Sequence, residues 1–188
     1  MSRRLLLIIG ASVAAVAALA AVYVFVIAPG GEDSAQAAAL EHVADRADGQ
    51  SAKVLTQHDW GDGQLILLGY DRRGVRRLGI AFAAKSFRGW KVSSYTEETV
   101  EPDDVKVGSL LIASSDGGGG QPPWTAAVGE LLDSRIDRVD VKWSTGDNNI
   151  GPRVGEAYMV VERGNTTAEE VRYLADNGEE IARVPVSD

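Results

Sequence analysis

Few of the 188 residues could carry chemistry. There is no cysteine, which removes thiolate nucleophiles, disulfide scaffolds, iron–sulfur clusters and Cys-based zinc sites. Two histidines remain, His42 and His58. His58 stands beside Asp59 and Trp60, but a zinc site needs three or four ligands, and no HxxxH or HExxH spacing supplies them. A Ser–His–acid triad is assembled in space, yet neither a GxSxG elbow nor an SxxK motif marks a nucleophile. The loop Ser114 to Pro123 holds the glycine run Gly117 to Gly120, but no Lys-Ser/Thr follows and Pro122-Pro123-Trp124 is no phosphate-binding helix start, so it reads as a connector. Asp147, Asn148 and Asn149 offer oxygens to calcium without the closing glutamate of an EF-hand loop, and read as a turn. No cofactor and no metal are implied. The 27 acidic residues could bring paired carboxylates together, as an envelope hydrolase would require, but no spacing singles out a pair.

What the sequence does single out is a local excess of positive charge. Arg72, Arg73, Arg76 and Arg77 surround Gly74, and Lys85, Arg88 and Lys91 follow, in a chain with 19 basic and 27 acidic residues. Such a cluster suits an anionic polymer of the cell envelope or an acidic envelope protein. The plain alternative is a solvated turn balanced by nearby acidic residues. Of the four tryptophans, Trp124 lies next to the glycine- and proline-rich loop, which predicts exposure and a platform for stacking sugars. The candidate binding residues are therefore Arg72, Arg73, Arg76, Arg77 and Trp124. Nucleic acid is not expected as a partner, because binding it needs a broadly basic face and the chain is net acidic.

The elements that must position these residues follow from hydropathy and period. Leu5 to Ala28 carry no charge over 24 positions; at about 1.5 Å per residue such a helix exceeds the roughly 30 Å hydrocarbon core, so residues 1–31 are expected to be a transmembrane anchor. Arg3 and Arg4 before it, with Glu32 and Asp33 after it, predict a cytoplasmic N-terminus and an extracytoplasmic bulk. The alternative is secretion after cleavage near Ala37, but the apolar run is long for a signal peptide. Residues 32–188 then hold 17 basic and 27 acidic residues. An α+β module is expected over 32–96: a helix capped by Asp33, with Leu40, Val43, Ala44 and Ala47 on one stripe, and four strands over Lys53–His58, Gln64–Tyr70, Val75–Ala84 and Trp90–Thr96. In the third strand Leu78, Ile80 and Phe82 alternate with Gly79, Ala81 and Ala83, giving one bulky and one small face. An acidic linker is expected over 97–104, then a small all-β sandwich-like module over 105–188, with strands at Val105–Ala113, Thr125–Leu132, Arg138–Trp143, Glu156–Val161, Glu170–Ala175 and Glu180–Val186.

The fold class expected is thus α+β, with an N-terminal transmembrane helix. The helix followed by four strands is similar in element order to the cystatin-like and PepSY-type modules of exported bacterial proteins, which implies no activity. The DSRIDRVDV strand from Asp133, the later AYMVV strand and the YLADNGEEI hairpin resemble membrane-anchored exported proteins of Gram-positive bacteria that have no assigned activity. That resemblance implies location. The expected function is a non-catalytic extracytoplasmic binding protein anchored in the plasma membrane. An envelope hydrolase, or a structural component of an envelope complex, is the alternative.

Overall fold

The computed structural model describes residues 31–100, 107–117 and 121–186. The expected membrane segment Leu5 to Ala28 lies outside them, as do residues 101–104 of the expected linker over 97–104. Among the described residues no helix is long and apolar enough to cross a membrane. Residues from Glu32 onward form one compact unit.

The α+β class is corrected to a mostly-β architecture. The described residues contain eleven strands in three antiparallel sheets and a single ten-residue helix, α1 (Ala35–Ala44). The first sheet is a meander of β1 (Lys53–Trp60), β2 (Gly63–Arg72), β3 (Val75–Ser86) and β4 (Gly89–Thr99). The second contains β5 (Leu111–Ser115), β6 (Trp124–Glu130) and β9 (Ala157–Arg163), in that spatial order. The third is ordered β11-β10-β7-β8, from β7 (Arg138–Trp143), β8 (Asn148–Pro152), β10 (Ala168–Leu174) and β11 (Glu180–Pro185).

Strand alternation explains the layering. In the first sheet Leu65, Leu67, Leu78, Ile80 and Phe82 point one way, and their partners in the core are Leu111, Ala113, Trp124, Ala126 and Val128 of the second sheet. On the opposite face Ile66, Leu68, Ala81 and Ala83 meet Ala35, Ala39 and Val43 of α1. Small side chains on both partners let the helix backbone approach closely. The second sheet is covered on its other face too: Ala127, Tyr158 and Val160 pack on Val139, Val141, Trp143, Val171 and Tyr173 of the third. This is why β6 is buried on consecutive residues from Trp124 to Gly129 rather than on alternate ones. A helix-plus-sheet module standing beside a separate sandwich is overturned by these shared cores; the bulky face of the first sheet is buried by another sheet. The outermost face of the third sheet is wet and laced with ion pairs, Lys142–Glu169 at 2.7 Å and Arg183–Glu170 at 3.2 Å among them.

Local details also differ from expectation. The helix is capped by Ser34, whose hydroxyl accepts from the Ala37 N–H at 3.1 Å, and not by Asp33. The segment Asn148–Pro152 is a strand, paired with β7 from Lys142↔Asn148 to Arg138↔Pro152, where its polar composition predicts only a turn.

Candidate functional site

The arginine cluster is divided by the sheet that carries it. Successive side chains of a strand point to opposite faces, so Arg76 and Arg77 cannot act together. Arg76 faces the second sheet, where its guanidinium binds both carboxylate oxygens of Glu130 on β6 and lies 3.6 Å from Asp71. Gly69 leaves room for it, since a Cβ there would strike the guanidinium. The Glu130 hydrogen bond, more than offsetting burial, raises the Arg76 pKa further. Arg76 is thus a tie between sheets.

Arg72 and Arg77 emerge on the helix face instead, and both reach Glu97 of β4, at 3.0 and 3.6 Å. Arg46, just beyond α1, is a third cation at 3.9 Å from the same carboxylate. The Tyr70 hydroxyl donates to Glu97, and the Tyr95 hydroxyl lies 2.8 Å from that of Tyr70 and 3.1 Å from the Glu97 carboxylate. Tyr95 can lie across the sheet because β3 has a glycine beneath it: a Cβ at Gly79 would overlap the Tyr95 ring and hydroxyl. Over the other side of that ring sit His42, with centroids 4.9 Å apart, and the Arg46 guanidinium at 5.2 Å.

The electrostatics of this hub are consistent with the geometry. Burial alone would raise the Glu97 carboxyl, but hydrogen bonds from Tyr70 and Tyr95 and the charges of Arg72 and Arg77 outweigh it and hold the carboxyl below its ordinary value. Burial pushes both tyrosines up, so their hydroxyls stay protonated donors. Burial, then the charge of Arg46, lowers His42, which keeps the imidazole neutral. Three guanidiniums converge on one carboxylate, leaving a local surplus of cationic donors. The Nε of Arg77 is buried and has no hydrogen-bond partner, while the Arg46 and Arg72 side chains remain 39% and 38% exposed.

Arg73 sits apart at the tip of the β2–β3 hairpin, exposed and with a left-handed φ of 55°. Asp48 braces that turn by accepting from the Gly74 N–H at 2.8 Å. Trp124 requires correction. It is 4% exposed and packs between the first two sheets, because its side chain falls on the inward parity of β6. It cannot stack a ligand there.

His58 shares a shallow groove with Asn148 and Asn149, but among the described residues no group of three or more His, Cys, Asp or Glu side chains could hold a metal ion. Glu32 and Glu41 come close enough for the charge of Glu41 to raise the Glu32 carboxyl, yet both lie at the surface rather than in a desolvated cleft. Sequence reasoning missed His42, Arg46, Tyr70, Tyr95 and Glu97 as one constellation. The available signal was parity: Tyr70 with Arg72, Arg77 with Gly79, and Tyr95 with Glu97 each share a face. Comparison with family models, with curated proteins and with solved structures finds no match for this chain.

Proposed function

We propose that the protein is a non-catalytic extracytoplasmic binding module, anchored in the plasma membrane through Leu5 to Ala28, that holds an anionic polymer of the cell envelope at the arginine hub. What carries the reading is one observation: Arg46, Arg72 and Arg77 gather on the single carboxylate of Glu97, with two of the three side chains partly exposed. Guanidiniums are suited to this role because their donors remain charged and present a planar fork to phosphate or carboxylate. Arg73 adds a further cation at the neighbouring hairpin tip. Tyr70, Tyr95 and Glu97 act as the fixed scaffold that spaces the arginines. The net acidic balance of the chain, 19 basic against 27 acidic residues, weakens polyanion binding away from such clusters.

The test is binding of the full-length protein, in nanodiscs of zwitterionic lipid, to an immobilised phosphodiester-linked polymer. Arg46→Glu combined with Arg73→Glu is expected to weaken binding at least about tenfold, equivalent to ~1.4 kcal/mol, and to flatten its salt dependence. Lys142→Glu, on the wet face of the third sheet, is expected to change nothing. Equal binding by the double variant and the parent would remove the hub as the attachment point.

A further inference from the structure

The β3–β4 hairpin exposes an aromatic side chain at its tip with no apparent structural use. Phe87 is 80% exposed, the highest value for a large apolar residue among those described. Lys85 precedes it and lies over the Trp90 ring, 5.8 Å from the centroid, and Lys91 follows. An exposed Phe flanked by Trp and lysines is the composition found at membrane–water interfaces, where rings sit at headgroup depth and lysines extend toward phosphates.

The path of the chain gives this composition a place. Glu32 is paired with Trp90 by two backbone hydrogen bonds, Glu32 N–H to the Trp90 carbonyl at 2.9 Å and Trp90 N–H to the Glu32 carbonyl at 2.8 Å. In the sequence, Glu32 stands four residues after Ala28, where the uncharged apolar run ends. Four extended residues reach at most about 14 Å. A chain anchored through that run therefore cannot carry Trp90, or the hairpin it belongs to, far from the lipid surface.

The strand registers point the same way. Gly63 pairs with Ala84 and Ser86 with Gly89, whereas Arg72 pairs with Val75. The β3–β4 tip and the arginine hub thus lie at opposite ends of the first sheet. Leu174 pairs with Arg138, and Arg138 with Pro152, which puts the β10–β11 turn at Asn177 with the Asp133–Asp137 segment that follows Glu130, the partner of Arg76. That turn belongs to the hub's end of the unit.

Resting on the anchored reading given above, we propose that the β3–β4 hairpin is a second membrane contact, in which Phe87 enters the boundary between headgroups and acyl chains while Lys85 and Lys91 lie among the lipid phosphates. The contact turns a single tether into a two-point attachment and holds the arginine hub away from the bilayer.

The absence of cysteine makes the test direct. The full-length Ser86→Cys protein, labelled with a fluorophore, is reconstituted into phosphatidylcholine–phosphatidylglycerol vesicles containing a lipid with a nitroxide near the headgroup; Asn177→Cys is labelled in parallel. Quenching is expected at position 86 and not at 177, and Phe87→Ser in the Ser86→Cys background is expected to lose most of it. Protein that resists alkaline extraction yet shows no quenching at 86, equal quenching at both positions, or quenching unaffected by Phe87→Ser would overturn the contact while leaving the anchor standing. Protein extracted at alkaline pH would overturn the anchor and this contact together.

Discussion

At the scale of single residues, position on a strand decides whether an arginine binds outward or holds the fold. Arg76 and Arg73 are three residues apart, yet one grips Glu130 across two sheets and the other stands exposed at a turn. Arg76→Ala is therefore expected to destabilise the protein by about 1–2 kcal/mol, since it leaves a mostly buried carboxylate unpaired, whereas Arg73→Ala stays within about 0.5 kcal/mol. Urea unfolding at neutral pH measures both; equal effects would show that the tie between sheets is unimportant. Glu97 makes a second prediction, in pH. Its folded pKa is depressed, so the unfolded chain takes up the proton first, and the stabilisation is present above the ordinary value of 4.5 and lost as pH falls through the lower folded value. His42 acts in the same direction at milder acidity: a lowered folded pKa contributes stability above 6.5 that is lost as pH falls below it. Glu97→Gln is expected to flatten the limb below pH 4.5, and His42→Gln the limb just below 6.5, in stability measured across pH. A Glu97→Gln profile as steep as the parent's would mean that other carboxylates dominate acid unfolding.

At the scale of elements, the helix face of the first sheet works because it is small where α1 crosses and empty where Tyr95 lies. Gly79→Ala places a methyl in the Tyr95 ring. It is expected to cost about 1–3 kcal/mol through overpacking and to unhook Tyr95 from Tyr70, visible as a fall in the Tyr95 pKa on spectrophotometric titration. Ala39→Leu, at a fully buried helix position against Ala81 and Ala83, is expected to cost a similar amount by forcing α1 off the sheet. A thermal midpoint unchanged by either substitution would contradict the close packing. Strand periods were legible in the residues: Arg138–Trp143 has the expected bounds, and the bulky and small parities of β3 could be read directly. Asn148–Pro152 was not legible, because an edge strand needs little apolar surface and takes its conformation from pairing with β7. The hub was illegible for a related reason. Its members come from three strands and a helix end, and only register brings Tyr70, Tyr95 and Glu97 to one point.

At the scale of the whole molecule, the first sheet has no solvent-facing side except at its edges. Leu65, Leu67, Leu78, Ile80 and Phe82 share a core with Leu111, Ala113, Trp124, Ala126 and Val128, all at least 29 positions later in the chain. A fragment ending at Val100 would expose that apolar face, and is expected to aggregate or to lack a cooperative transition when expressed alone; a soluble fragment unfolding cooperatively would refute the interdependence. By itself the sequence determined the acidic balance, the exclusion of cysteine chemistry, the apolar opening segment and the period of most strands, because these depend on residue type and on spacing within a few positions. The tertiary structure decided which sheet face meets which, why Trp124 is core, and that of four neighbouring arginines one serves one face of the first sheet, two serve the other and one stands at the turn. Those outcomes depend on side chains from distant segments competing for the same buried space and the same carboxylates, and that competition is resolved only once the layers have packed.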